Sequence, residues 1–453
     1  MIPTERTAAG AAPLSSSCVR PVPSRPSLFA LIPVRLRALY TASAGAFLLR
    51  WLLLGGLIGA LAGTASAGFL VALDGVTRWR EAHAWAPALL PAAGLLIGLA
   101  YHYFGQVAGR GNNLILDEIH RPSRAIPLRL LPLVLGGTLL THLVGGSAGR
   151  EGTAVQMGGA LADQLPRWLR LTAADRRLLL IAGMSAGFAS VFGTPLAGAV
   201  FGLEVLWLGS VRYDAVLPSF LAAAVADAVT RAWGVGHTAY PVLGALPLTP
   251  TLLGGALLVG ALCGLAARGF IGLTHAVGRV YARFIAYPPL RPVVGGAVVA
   301  LLMWGLGTTR YSGLGIPVIL EAFQHPLPPA VWAWKLVFTA LTLGCGFRGG
   351  EVTPLFFMGA ALGSALAAVL PLPVALLAAM GFVGVFAGAA NTPLACTLMG
   401  LELFGGQAGI CLGLTCVVAY GFSGHRGIYG AQVVGQAKHP HRQPEEGQRL
   451  NEL

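Results

Sequence analysis

Charge is what this chain has least of. Only 10% of its 453 residues are Asp, Glu, Lys or Arg, against about 25% in an ordinary soluble domain. A chain this long with so little charge cannot cover a water-facing surface, so its solvent is lipid. Lysine is almost missing. Lys335 and Lys438 are the only two, and the net charge of +13 is therefore carried by arginine. Those arginines are scattered and come with no base-stacking module, which argues against a nucleic-acid partner. The six cysteines, Cys18, Cys263, Cys345, Cys396, Cys411 and Cys416, show no metal-ligand spacing. Five of them lie in apolar runs and read as small buried hydrophobes. His102, His120, His142, His237, His275 and His325 share no ligand spacing either, so no metal and no other cofactor is expected. An apolar core before Leu28 is also absent. Residues 1–27, rich in Pro, Ser and Ala, are thus not a signal peptide and read as a disordered lead.

What the chain does have is apolar length and glycine. It is 55% hydrophobic, with a mean hydropathy of +0.72. Apolar runs near 47–73, 86–106, 127–145, 250–273, 291–308, 328–345, 372–390 and 408–421 approach the roughly 20 helical residues that cross a bilayer. Segments 153–165 and 193–206 are shorter and predict helices that stop inside the membrane, where their ends line a cavity. The 63 glycines let helix backbones approach closely in lipid.

One phrase occurs twice. Thr194-Pro195-Leu196-Ala197 leads to Gly202-Leu203-Glu204, and Thr392-Pro393-Leu394-Ala395 leads to Gly400-Leu401-Glu402. The repeat is wider than that. Gly59-Ala60-Leu61 matches Gly260-Ala261-Leu262, and Gly149, Met157 and Gly158 match Gly350, Met358 and Gly359, all at an offset of 201. Colinear matches over about 150 residues are not what apolar bias alone produces. A membrane body made of two related halves points to a transporter or channel, with the pathway between the halves. The expected organisation is a lead over 1–40, a first membrane repeat over 41–245, a second over 246–432, and a tail over 433–453 too short for a regulatory domain. Arg6, Arg20, Arg25, Arg35, Arg37 and Arg50 face only Glu5 in the first 50 residues, and Arg426, Lys438 and Arg442 lie near the other end. By the positive-inside rule both termini are expected in the cytoplasm, which makes the protein a multi-pass component of the inner (plasma) membrane.

Three glycine-rich breaks carry the chemistry. Gly145-Gly146-Ser147-Ala148-Gly149-Arg150-Glu151-Gly152-Thr153 interrupts an apolar run and opens a helix near Thr153. A glycine-rich backbone before a helix exposes N–H groups, and the helix dipole favours an anion there. Glu151 could occupy that anion position when ionised and leave when protonated. An acid within the membrane is a functional candidate, although a pair with Arg150 would also account for it. In the second half, Gly344-Cys345-Gly346-Phe347-Arg348-Gly349-Gly350-Glu351-Val352-Thr353-Pro354 repeats the pattern, with Pro354 suited to a first helical turn. The third break, Gly109-Arg110-Gly111-Asn112-Asn113, offers more N–H groups and two amides. As an isolated motif it would be an ordinary asparagine-capped turn. Glu204 and Glu402 read as structural carboxylates that cap or brace each half, and Asp117 and Glu118 as a solvated helix end.

Taken in order, these motifs resemble the CLC family of anion channels and anion/proton antiporters, over roughly residues 40–435. Gly149-Arg150-Glu151-Gly152-Thr153 looks like its gating-glutamate motif, with Thr153 where proline is usual. Gly350-Glu351-Val352-Thr353-Pro354 stands where the family has Gly-x-Phe-x-Pro. Gly109-Arg110-Gly111-Asn112-Asn113 stands where chloride-handling members have Gly-Ser-Gly-Ile-Pro, and Tyr429 matches the anion-coordinating tyrosine. The inner proton-transfer glutamate of chloride/proton exchangers would fall at Val205. These departures resemble the fluoride-exporting clade. The resemblance implies an all-α polytopic fold, a CLC-type inverted repeat of tilted, partly discontinuous helices, assembled as a homodimer. It assigns gating and proton transfer to Glu151 and Glu351, and anion binding to Gly111, Asn112, Val352, Thr353 and Tyr429. The implied activity is fluoride/proton antiport. The alternatives are a chloride/proton antiporter or a voltage-gated-type chloride channel of the same family. Fluoride holds its water tightly, so its site must offer strong donors, and the hydroxyls of Thr353 and Tyr429 and the Asn112 amide supply them. A rival from another class is an intramembrane protease, because Gly146-Ser147-Ala148-Gly149 resembles the rhomboid nucleophile turn and His142 is near. Such an enzyme has no need of a duplicated membrane body, and no enzymatic activity is expected.

Overall fold

The computed structural model describes residues 44–244 and 247–453. The expected lead over 1–40, with Cys18 and the arginines before Arg50, lies outside the described residues, as do 245 and 246 at the junction of the halves.

The described residues are predominantly helical. The first half contains α1 (Ala44–Ala82), α2 (Leu90–Phe104), α3 (Asn112–His120), α4 (Leu130–Leu143), α5 (Glu151–Ala162), α6 (Leu165–Leu169), α7 (Ala173–Phe192), α8 (Pro195–Glu204) and α9 (Val216–Ala232). The second contains α10 (Pro250–Phe284), α11 (Arg291–Leu306), α12 (Ile316–Ala322), α13 (Ala330–Gly344), α14 (Val352–Leu366), α15 (Val374–Ala390), α16 (Pro393–Phe404) and α17 (Gly409–Phe422). Omitting the single turn α6, the two series match helix for helix. They also pack alike. The pairs α5–α7, α1–α9 and α7–α9 recur as α14–α15, α10–α17 and α15–α17. This is the inverted repeat of broken helices that the motifs imply.

Five helical stretches are long and apolar enough to cross a membrane: Gly45–Ala82, Ala86–Phe104, Tyr213–Ala232, Pro250–Phe284 and Pro288–Leu306. The expected run at 328–345 is only 15 residues of helix, and 372–390 only 17. Both are bounded by glycine- or proline-containing turns, which turns near-spans into partial ones. The span at 213–232 is absent from the apolar runs because Asp214, Asp227 and Arg231 interrupt it; two of them pair on one side, Arg231 Nε to Asp227 at 2.9 Å. The outward faces of the long helices are apolar, with Leu96 60% and Trp304 84% exposed.

Glycine sets how closely the halves' inner helices pack. A Cβ on Gly183 of α7 would stand 2.6 Å from the carbonyl of Gly158 on α5, and Gly381 meets Gly359 in the same way in α15 and α14. Small residues at such crossings replace the hydrophobic drive that lipid removes.

The repeated Thr-Pro-Leu-Ala…Gly-Leu-Glu phrase has a concrete use. Glu204, at the end of α8, accepts from the amides of Leu394 (3.0 Å) and Ala395 (2.8 Å) at the start of α16. Glu402, near the end of α16, accepts from Leu196 (2.9 Å) and Ala197 (2.8 Å) at the start of α8. Each carboxylate therefore caps the opposite half rather than bracing its own. The two N–H groups it serves are orphan donors of a first turn. Glu204→Ala strands both, that of Ala395 in a buried position, and a hydrogen bond to a charged group is worth about 1.5–3 kcal/mol. Heating the detergent-solubilised protein and following its monodisperse peak should show that loss for Glu204→Ala, and a smaller one for the more exposed Glu402→Ala. An unaltered Glu204→Ala profile would mean that the cap contributes nothing.

The C-terminal segment returns to the body. Val433–Val434 pairs in parallel with Trp207–Leu208, and Lys438 Nζ donates to Asn391 Oδ1 (2.6 Å), Tyr420 O (2.7 Å) and Gly424 O (2.7 Å) at the ends of α15 and α17. Asp117 and Glu118 are not a solvated helix end. Both are buried. Asp117 pairs with Arg449 of the C-terminal segment at 2.8 Å and with Arg110, and Glu118 takes Ser123 Oγ (2.6 Å) and Arg176 Nη1 (3.1 Å).

Candidate functional site

The two glycine-rich breaks meet, one from each half. Gly149 N donates to Gly350 O at 2.6 Å, and Gly350 N donates to Gly149 O at 2.8 Å, a single antiparallel bridge. The approach requires glycine on both sides. A Cβ on Gly149 would stand 3.0 Å from Gly350 O and 2.7 Å from Glu151 Oε2, and one on Gly350 would stand 2.8 Å from Gly152 N. The bridge holds the N-termini of α5 and α14 side by side.

Helix α5 begins at Glu151, two residues before the expected start, because Arg150 already has helical angles. The Glu151 side chain serves more than its own helix. It is fully buried and reaches the start of α14, where it accepts from the Thr353 amide at 3.1 Å and from Thr353 Oγ1. The Arg150 amide donates to the same carboxylate at 3.0 Å. The alternative pairing with Arg150 is present only as a longer contact, Nε to Oε1 at 3.9 Å. Pro354, third in α14, has no N–H, so Thr353 supplies both a backbone and a hydroxyl donor at this helix end. The carboxylate thus sits where backbone N–H groups and the helix dipole favour negative charge.

The other expected residues lie around this point at different distances. Val352, first in α14, is buried, and Glu351, its cap, is partly exposed and directly follows Gly350, whose Cβ position would lie 3.4 Å from Glu151 Oε2. Gly111 caps α3 with φ +58, and Asn112 begins that helix with its buried Oδ1 unpartnered. Asn112 Nδ2 lies 3.2 Å from where a Cβ of Gly152 would stand, and Gly350 Cα is at the same distance. The 109–113 turn therefore packs on the first turn of α5, beside the bridge. Tyr429 is buried on a loop fixed by Ile428 N to Ala389 O (2.9 Å) and Ala431 N to Asn113 Oδ1 (2.9 Å). Rings close the surroundings: Phe192–Phe356 at 5.2 Å, Phe356–Phe386 at 5.4 Å and Phe201–Tyr429 at 6.1 Å. Such a girdle excludes water, and in a low dielectric each donor at Thr353 counts for more.

Three further neighbours complete the surroundings, and of these the motif reading counts only the Asn113 amide. Asn113 ties the Tyr429 loop to the turn, Gln156 lies beside Gly111, and Arg348 donates to Gly109 O at 3.0 Å. Gln156 belongs to the Val155-Gln156-Met157-Gly158 stretch that follows the gating-type motif, one turn beyond Gly152 on the same face of α5. Arg348 is marked in the sequence by its position three residues before Glu351. A serine nucleophile is not assembled here. Ser147 Oγ meets Thr339 Oγ1 at 2.9 Å, and His142 meets the carbonyls of Thr138 and Ala148. No group of three metal-ligating side chains occurs among the described residues.

Residues 93–424 match the family described as voltage gated chloride channel. The chain belongs to that family. Within it, the chloride/fluoride channel protein of Pseudomonas syringae pv. tomato is 53% identical over 88% of this chain and 90% of its own length. A voltage-gated ClC-type chloride channel of Escherichia coli is 29% identical over 59% of this chain. Among solved structures, a CLC-type fluoride/proton antiporter superposes with a TM-score of 0.83 at 37% identity, covering 86% of this chain and 99% of the other. A slow cyanobacterial chloride/proton antiporter superposes at 0.73 with 21% identity, which speaks for the shared CLC fold.

Proposed function

We propose that this CLC-family protein exports fluoride in exchange for protons, with Glu151 as the gating and proton-exchanging carboxylate. One observation carries the reading: the Glu151 carboxylate lies on the Thr353 amide and hydroxyl at the start of α14. A carboxylate and a small anion compete for those donors, so the anion enters when Glu151 leaves, and Glu151 leaves when protonated. That exclusion links the two ions. Thr353, Tyr429, Asn112 and the backbone at Gly111 and Val352 replace the water that fluoride gives up. Glu351, beside Glu151, passes the proton onward. The 37% identical fluoride/proton antiporter structure supports fluoride over chloride, and the 53% identical chloride/fluoride channel protein supports a halide pathway. The protein acts as a multi-pass homodimer in the inner membrane with both termini in the cytoplasm, and it performs transport rather than catalysis. Moving one elementary charge through the membrane potential is worth about 2.3 kcal/mol per 100 mV, enough to sustain export of a toxic anion.

The test uses the purified protein in liposomes loaded with potassium fluoride. A fluoride electrode should record efflux accompanied by proton uptake, with chloride efflux slower. Chloride leaving as fast as fluoride, or fluoride leaving without proton uptake, rejects the proposal.

A further inference from the structure

A cavity of about 410 Å³ opens between the C-terminal end of α2 and the N-terminal start of α11, and Glu151 is not part of its lining. Its polar lining is Tyr101, His102, Gln106, Arg291 and Arg348, and no Asp or Glu lines it. Both guanidiniums have donors to spare. Arg348 lies 3.9 Å over the Tyr101 ring and gives Nη1 to Gly109 O, while its buried Nε has no hydrogen-bond partner. Arg291 gives Nε to Ile285 O at 3.1 Å, which leaves its two terminal nitrogens for a ligand. Two planar forks with unspent donors, facing one cavity with no counter-charge, fit an oxyanion that accepts in pairs.

The position of the cavity says which oxyanion. Tyr103 and Phe104 end α2, Phe284 ends α10, and Tyr287 precedes α11; all four are exposed. His102 of the cavity wall packs against Tyr287 with ring centroids 5.4 Å apart, and the Tyr103 and Tyr287 hydroxyls are 3.3 Å apart. Exposed aromatics at helix ends mark the level of lipid headgroups. Along the same two helices, Leu95, Leu96, Val294 and Leu301 are exposed and offer a track for acyl chains. Basic pockets between membrane helices at this depth hold anionic headgroups.

We propose that this crevice is a binding site for the phosphate headgroup of an anionic phospholipid, held by Arg291 and Arg348. Its occupant bears on the transport site through one residue. Arg348 hydrogen-bonds the 109–113 turn at Gly109 and stands three residues before Glu351, so a headgroup on Arg348 holds turn and loop in one arrangement. The binding does not depend on the transport reading; the effect on flux does.

The experiment is native mass spectrometry of the full chain in detergent, with phosphatidylglycerol or phosphatidylcholine added, for the native protein and Arg291→Gln. Phosphatidylglycerol should stay bound to the native protein, and Arg291→Gln should weaken it about tenfold, the scale of one lost charge-assisted hydrogen bond. Excess inorganic phosphate should not displace the lipid. Equal retention of phosphatidylcholine, unchanged affinity in Arg291→Gln, or displacement by inorganic phosphate would each overturn the site as stated. Fluoride efflux from phosphatidylglycerol vesicles should exceed that from phosphatidylcholine vesicles for the native protein only. Equal efflux in the two lipids, with binding intact, would remove the link to transport while leaving the site.

Discussion

Glu151→Gln is expected to abolish proton uptake while leaving a folded protein. The amide has nearly the shape of the acid, so the bridge between Gly149 and Gly350 is undisturbed. It cannot carry a proton on and off, and its NH₂ group can replace a carboxylate oxygen at the Thr353 hydroxyl, which accepts as well as donates, but not at the Thr353 N–H, which only donates. A positioned acid or base contributes about 10²–10⁴-fold to proton transfer, so proton influx driven by a fluoride gradient should fall at least about a hundredfold. Fluoride efflux is then free of the proton, and the ratio of the two fluxes is the quantity to read. A pH-sensitive dye in the bath and a fluoride electrode measure both in one preparation. A proton flux equal to that of the native protein would exclude Glu151 from the exchange and leave Glu351 as the acid to examine.

Thr353→Val should have the next largest effect. Valine keeps the volume and the branched shape, and the backbone N–H of residue 353 remains. What goes is the hydroxyl that meets Glu151 Oε1. A hydrogen bond to a charged partner is worth about 1.5–3 kcal/mol, which corresponds to about a ten- to hundredfold weaker hold on fluoride at the start of α14. The concentration dependence of initial efflux reads that loss. Thr353→Ser restores the donor and should recover most of it. Should serine prove as poor as valine, or valine as good as threonine, the hydroxyl is not a ligand and the backbone alone holds the ion.

How far the sequence reached follows from what each signal depends on. Duplication and sparse charge are global, and they sufficed for two related halves of membrane helices; the inversion of one against the other came with the family resemblance. Glycine before a helix is local, and it marked the 149–153, 350–354 and 109–113 segments. What those signals do not contain is which partner crosses over. Glu204 and Glu402 were legible as caps, but nothing in either half says that each serves the other. Asp117 and Glu118 looked solvated because two adjacent acids at a helix end normally are. Their partners Arg449 and Arg176 come from distant parts of the chain, and burial follows from that pairing. The span at 213–232 went unseen because Asp227 hides its charge in a pair one turn away, which a running hydropathy average cannot register.

The crossed caps bear on biogenesis. During synthesis α8 enters the bilayer with Leu196 and Ala197 unserved, and the acid that serves them is made 206 residues after Leu196. Nor can the Gly149 strand close until Gly350 arrives. A first lobe produced by itself would keep open helix ends in hydrocarbon, a liability for quality control, whereas both lobes supplied as separate fragments could still complete each other.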